Sequence, residues 1–242
     1  AGRVIESFCD FNLEPKKKVV AQFHEWQTGA GILQLKKNNP HIATVFTTHA
    51  TMMGRCICGN DMPLYNSLKE YDGETMARRL NVLARYSLEE KAAQNTDIFT
   101  TVSDITAREC AQFLHRECDV VTPNGFENSF TPSTDEEYNE KRAAARTNLA
   151  MVATVMSGSP VSDKAIFVGI GGRYEYRNKG IDVFIDALAQ LKNSDYDGKE
   201  IHAFVMIPSG HHGPDKNIVK KLAGENLSQY TSQVSHNLMN PE

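Results

Sequence analysis

Short runs of branched and apolar residues alternate with amphipathic stretches along the whole chain, and this rhythm permits few folds. Parallel strands cannot be joined by tight hairpins, so strands spaced by helix-length segments imply β-α-β crossovers in a parallel sheet. The strand candidates are Val19-Val20-Ala21, Ala43-Thr44-Val45-Phe46, Asp97 to Val102 and Asp119-Val120-Val121. Their residue types suit strands buried on both faces. Helical spacing lies between them. Ala107, Cys110, Ala111 and Leu114 recur at i, i+3, i+4, i+7 behind Ser103, a favourable N-cap. Leu80, Leu83, Ala84 and Leu88 form a similar stripe in the segment from Glu74 to Gln94.

A turn signal at Pro123-Asn124-Gly125 precedes a change of composition. Residues 132–147 are mostly Asp, Glu, Lys, Arg and Ala, which reads as an exposed helix or a segment connecting two cores. The α/β rhythm then restarts with the strand Ala165 to Ile170, the turn Gly171-Gly172, an amphipathic helix on Ile181, Phe184, Ile185 and Leu188, and the strand Ala203 to Ile207. From about Asp215 the pattern is polar and helical.

Charge and cysteine usage narrow the partners. The 242 residues carry a formal charge of −4, with no run of like charge longer than Lys16-Lys17-Lys18. A nucleic-acid surface or a polybasic membrane patch is therefore not expected, and small molecules or proteins are the expected partners. No stretch approaches the roughly 18 apolar residues of a membrane span, and no signal peptide opens the chain, so a cytoplasmic protein is expected. Five cysteines, an odd number without paired zinc spacing, fit reduced thiols. The chain starts at Ala1 without a methionine and stops at Met239-Asn240-Pro241-Glu242, and both ends look cut.

In open parallel sheets the ligand sits at the carboxyl ends of the strands, and with two α/β halves a cleft between them is the default site. The residues after each strand therefore carry the functional reading. His24-Glu25-Trp26 follows the first strand and includes the chain's single Trp; Thr47-Thr48-His49-Ala50-Thr51 follows the second. A lone His beside an apolar strand is more often a hydrogen-bonded structural group than a catalyst. His24-Glu25 is not a metalloprotease motif, because Thr28 stands where the second His is needed. His211-His212 reads as a surface loop, and Cys56-Ile57-Cys58 directs two thiols apart whether extended or helical. Gly171 to Gly180 is more informative: it brings Arg173, Arg177 and Lys179 to a strand end, where α/β proteins hold anions. It fits neither the Walker nor the dinucleotide glycine spacing; a cation-rich loop is usually a solvated turn, and the coincidence of cations and glycines at a strand end is what favours diphosphate recognition here.

Taken together, Phe23-His24-Glu25-Trp26, Phe46 to Thr51 with Gly54-Arg55, Phe99 to Ser103 with Ile105-Thr106, Pro123-Asn124-Gly125, and Gly172 to Tyr176 with Asn178-Lys179-Gly180 resemble the glycogen synthase family, in the type found in animals, fungi and some bacteria. The motifs fall in the family's order between about residues 19 and 208. The resemblance implies an α/β fold of GT-B type with two Rossmann-like domains, both incomplete in this chain. Residues 1–130 would be the C-terminal part of the first, 131–160 a polar connecting segment, and 161–242 the N-terminal part of the second with the start of a helical insertion.

It also implies an enzyme that moves glucose from UDP-glucose to the non-reducing end of an α-1,4-glucan with retention. Arg173 and Lys179 match cations that contact the donor diphosphate, and His49 matches a histidine near the donor glucose. His24, Glu25, Trp26, Asn124 and Gly172 match substrate-binding positions. No cofactor or metal is implied, and the full-length parent would be a homo-oligomer. Another retaining nucleotide-sugar transferase of this fold and a catalytically silent glucan-binding module are the alternative readings. The family's early glycine-rich loop has no match in residues 1–20, nor does its late acidic pair have one, so an internal piece of a longer protein is expected. A cut sheet exposes strand edges and apolar faces, so the isolated chain should be aggregation-prone and inactive. A monomer with a sharp cooperative melt would contradict this.

Overall fold

The first half of the chain turns the strand rhythm into a sheet whose strands pair in chain order. The computed structural model describes residues 1–14, 17–227 and 230–239. Lys16 of the lysine run and the Asn240-Pro241-Glu242 end lie outside the described residues. The chain divides into two units, Ala1–Phe126 and Glu127–Glu242. The first contains α1 (Gly2–Asn12), β1 (Val20–His24), α2 (Glu25–Asn38), β2 (Ala43–Thr48), α3 (Met52–Gly59), α4 (Gly73–Arg79), α5 (Leu83–Asn95), β3 (Ile98–Thr101), α6 (Asp104–Leu114) and β4 (Val120–Val121).

All four strands are parallel, in the order β1-β2-β3-β4. The register sets Phe23 beside Phe46 and Phe46 beside Phe99, and the last two rings stack 5.8 Å apart. These aromatics form one buried cluster with Ile32, Leu35, Ala92 and Phe113 from the covering helices. Acidic residues stitch the other end of the strands. Asp97 Oδ2 accepts the Thr44 N–H at 2.7 Å, and Asp119 Oδ2 accepts that of Phe99 at 2.7 Å. Charge-assisted bonds of this kind are shorter and stronger than neutral ones.

Burial on both faces, expected for these strands, forms at the carboxyl ends of β2 and β3, where Thr47 and Thr100 are buried opposite the core face with their hydroxyls 2.8 Å apart, but not along the rest of the sheet. In β1 only Ala21 and Phe23 are buried, while Val20 is 66% exposed, and Ile98 and Val120 are exposed as well. Successive right-handed crossovers between strands in sequential order place the helices on one face, leaving the other without them. The helix faces also differ from the expected stripes. The segment from Glu74 to Gln94 breaks at Asn81, which adopts a left-handed φ of 56°, and α5 buries Tyr86, Glu89, Ala92 and Ala93 while Ala84 is exposed. In α6 the buried residues are Thr106, Glu109, Cys110, Phe113 and Leu114, with Ala111 exposed; Ser103 caps it as expected, its Oγ accepting the Thr106 N–H at 3.2 Å. Each helix is rotated so that a large aromatic ring, Tyr86 or Phe113, enters the core in place of an alanine, because the ring removes far more apolar area from water.

The second unit contains α7 (Asp135–Ser157), β5 (Ile166–Gly171), α8 (Ile181–Lys192), β6 (Ile201–Met206), β7 (His211–Pro214), α9 (Lys216–Leu222) and β8 (His236–Leu238). Most of residues 131–160 is thus one helix, capped by Thr134 Oγ1 on the Glu137 N–H at 3.1 Å and stopped by Gly158 at a φ of 76°. β5 and β6 pair in parallel around α8. Arg146 anchors α7 to β5: its guanidinium donates to the carbonyls of Asp163 and Ala165, each at 2.7 Å, and lies 4.7 Å from the Phe167 ring centre. His211-His212, expected in a loop, belongs to β7, which pairs antiparallel with β8. Its partner strand lies beyond α9, so no local pattern announces it.

Helices α2 and α5 meet closely at Gly29, where an added Cβ would stand 2.8 Å from Ala92 Cβ. Gly29→Val should cost about 1–3 kcal/mol through overpacking, whereas Ala30→Val on the exposed side of the same helix should stay within about 0.5 kcal/mol. Amide hydrogen exchange of α2 and α5 would register the difference; equal protection in both variants would contradict the close contact.

Candidate functional site

Parallel pairing brings the carboxyl ends of β1 to β4 to one edge of the sheet, and the register sets His24 beside Thr47 there. β1 passes into α2 without a linking residue, so Glu25 absorbs the change of direction at a φ of 63°. A left-handed conformation costs a non-glycine residue roughly 1–2 kcal/mol, and such strain gathers at functional sites. Here it accompanies a contact with the next strand end: Glu25 Oε1 accepts the His49 backbone N–H at 3.0 Å. His24 Nδ1 and His49 Nε2 stand 3.0 Å apart, so one ring nitrogen donates and the other accepts. Trp26 is half-buried, with the Arg85 guanidinium 5.5 Å from the centre of its ring. His24, Glu25 and His49 therefore form one hydrogen-bonded group. Asn124 lies exposed in the extended stretch after β4, where Thr122 N–H still bonds the Thr101 carbonyl at 2.7 Å.

Beneath His49 the start of α3 is held by acids. Thr51 is the N-cap: its Oγ1 accepts the Gly54 N–H at 2.9 Å and donates to Glu109 Oε2 at 2.7 Å. Glu109 Oε1 accepts from the Tyr65 hydroxyl at 2.7 Å, and burial together with that carboxylate pushes the phenol up. Gly54 has no alternative there, since an added Cβ would fall 2.2 Å from Glu109 Oε2. Glu89 Oε2 accepts the Met52 N–H at 2.8 Å. Burial pushes the Glu89 carboxyl up to about 8, the Met52 N–H and Arg55 oppose the shift, and the neighbouring acids Glu25 and Glu109 reinforce it.

Sequence reasoning reached the histidines through their place after strands but missed Glu89 and Glu109. The usable signal was a carboxylate in phase with a buried ring: Glu89 with Tyr86 and Ala93, Glu109 with Cys110 and Phe113. Cys56 and Cys58 flank the buried Ile57 on α3, and burial pushes both thiols up, as unreactive free cysteines require. Among the described residues no group of three or more His, Cys, Asp or Glu side chains is placed to hold a metal ion.

In the second unit β5 ends at Gly171, and the following loop carries Gly172, Arg173 and Lys179. Arg173 Nε lies 2.9 Å from Glu175 Oε1, and the Glu175 carbonyl accepts the Lys179 N–H at 2.9 Å. Gly180, at a φ of 66°, opens α8, and Arg177 pairs with Asp182 at 2.8 Å and holds that carboxyl below its ordinary value. Both Arg173 and Lys179 are exposed. Gly172 leaves the Lys179 stem at ordinary contact distance, 3.7 Å from an added Cβ. Tyr174, next to Arg173, lines a cavity of about 880 Å³ with Met156, Phe204, Met206 and Val234.

Parallel strands with crossover helices and polar residues gathered after the strands define a Rossmann-like α/β protein. The family model described as glycogen synthase matches residues 2–235, and the chain belongs to the glycogen synthase family. It is 40% identical over 178 residues to the liver glycogen [starch] synthase of Mus musculus, covering 72% of this chain and 25% of that protein. It is 38% identical over 201 residues to the glycogen [starch] synthase of Caenorhabditis elegans, covering 79% and 30%. With that of Neurospora crassa the identity is 36% over 186 residues, covering 74% and 26%. The chain thus spans between a quarter and a third of the length of these relatives.

The buried acid makes stability depend on pH. An unfolded Glu89 releases its proton near the ordinary value of 4.5, whereas the folded one keeps it to about 8. Between those limits the unfolded state binds fewer protons, so stability falls as pH rises. Glu89→Gln should flatten this slope, matching the wild type near pH 5 and exceeding it by on the order of a few kcal/mol near pH 8. Melting curves across that range provide the check, and parallel slopes would contradict the assignment.

Proposed function

We propose that the intact protein is a retaining glycosyltransferase that moves glucose from UDP-glucose to the non-reducing end of an α-1,4-glucan. Family membership supports this reading, and the observation that carries it is the hydrogen-bonded group of His24, Glu25 and His49 at the carboxyl edge of a parallel sheet. Breaking the bond between glucose C1 and phosphate oxygen leaves negative charge on the departing diphosphate. Arg173 and Lys179, exposed on the glycine loop after β5, are the groups assigned to hold it. Arg173 offers two donors to two phosphate oxygens, whereas Lys179 acts as a point charge. Charge stabilisation of this kind contributes several kcal/mol to such a step. It is assigned to these side chains and to helix N-termini, with no metal or cofactor.

His49 faces the donor glucose in this reading. His24, Glu25, Trp26 and Asn124 in the first unit, and Gly172 in the second, are each assigned to substrate binding. The acceptor hydroxyl attacks on the face the diphosphate leaves, and a phosphate oxygen takes its proton, so no side chain serves as general base. A cytoplasmic homo-oligomer acting on a nucleotide sugar and glycogen, without nucleic-acid or membrane partners, completes the proposal. Among the described residues no helix is long and apolar enough to cross a membrane.

The intact protein should incorporate labelled glucose from UDP-glucose into glycogen. No labelled polymer with either UDP-glucose or ADP-glucose would refute the activity. Arg173→Ala should lower transfer by about 10²–10³-fold without unfolding the protein, since the side chain is exposed. Near-normal turnover would remove Arg173 from diphosphate binding.

A further inference from the structure

Three carboxylates from three helices converge on one short connection. Between β2 and α3, the backbone N–H of His49 is bound by Glu25 of α2, the hydroxyl of Thr51 by Glu109 of α6, and the backbone N–H of Met52 by Glu89 of α5. Thr51 alone caps α3 in the ordinary way, through the Gly54 N–H. The further acid at Glu89 is fully buried, and its Oε1 meets no hydrogen-bond partner among the described residues. A buried carboxyl that is half unsatisfied destabilises a fold, so its presence here calls for a role beyond capping.

The groups facing Glu89 come from every helix around it: Glu25 from α2, Arg55 and Cys56 from α3, Tyr86 on its own helix, and Glu109 and Cys110 from α6. Two are acids, and Arg55 is the one cation among them. The site therefore favours the neutral carboxyl, which still offers a carbonyl-type oxygen to the Met52 N–H. Ionisation would set three negative charges around one helix start.

We propose that Glu89 is a positioning residue for the transfer reaction, fixing the first turn of α3 and thereby the backbone and ring of His49. This rests on the reading that His49 works at the donor glucose. A displaced His49 would slow transfer while leaving donor affinity to Arg173 and Lys179, so the effect falls on kcat. Ionisation keeps an acceptor for the Met52 N–H but adds a buried negative charge beside Glu25 and Glu109, which strains the helix start, so kcat should also decline on the alkaline side.

The test compares the wild type, Glu89→Leu and Glu89→Gln in the intact protein, with kcat and donor KM measured from pH 6 to 9 and amide exchange followed over residues 49–58. Glu89→Leu removes the acceptor and should lower kcat about 10- to 100-fold with little change in KM, and speed exchange at the start of α3. Glu89→Gln keeps a neutral acceptor; it should restore most of kcat and protection, and its alkaline decline should be weaker than that of the wild type. The proposal is overturned if Glu89→Leu keeps both kcat and protection, or if Glu89→Gln does no better than Glu89→Leu. Should Glu89→Leu fail to fold, the Glu89→Gln pH profile decides, and an alkaline decline equal to the wild type's overturns the proposal. Absence of transfer by the wild type would refute the glycosyltransferase reading instead. Exchange would then decide whether Glu89 holds the helix start, with loss in Glu89→Leu and retention in Glu89→Gln supporting it and any other pattern overturning it.

Discussion

Parallel pairing is the constraint on which the rest of the first unit depends. Strands that run the same way must be joined over the top of the sheet, so each crossover helix begins at the edge where the preceding strand ends. Helix N-termini, with their unpaired N–H groups and partial positive charge, therefore collect along that edge. Side-chain oxygens placed there answer those N–H groups: Glu89 accepts the first N–H of α3, Thr51 accepts that of Gly54 while bonded to Glu109, and Glu25 in the first turn of α2 accepts that of His49. The histidines share the edge for the same topological reason, being the residues that β1 and β2 deliver to it.

The fold was legible where local pattern is enough. Six strands were located to within one to three residues because branched runs bounded by turns leave little choice. Helix faces were harder to place, since Leu83 and Leu88 suggest one stripe on α5 while Tyr86 and Ala92 occupy the core. Sequence spacing cannot weigh a ring against an aliphatic chain until the partner surface is known. The exposed face of the sheet and the β7–β8 pair depend on distant partners, which no window of adjacent residues contains.

The site divides along the same line. His24, Glu25 and His49 could be found from their positions at the carboxyl ends of strands, and the structure places them in one hydrogen-bonded group. Glu89 and Glu109 were passed over despite their phase with buried rings, because a carboxylate on an amphipathic helix is ordinarily taken for its wet side. Only the packed structure shows that these two face inward. The second unit uses opposite chemistry: its loop after β5 is cationic, and glutamate and aspartate partners hold two of its arginines. Acids facing helix starts and cations displayed on a glycine loop are two ways of furnishing a strand end.

The contact between Gly54 and Glu109 has a bearing on how this sequence can drift. The carboxylate occupies the volume that any larger residue at position 54 would need, and it does so while bonded to both Thr51 and Tyr65. A side chain at 54 is admissible only if 109 shortens or withdraws, and withdrawal strands the two hydroxyls. Positions 51, 54, 65 and 109 thus behave as a single unit of inheritance, in which a replacement at one becomes viable only on the background of a matching replacement at another.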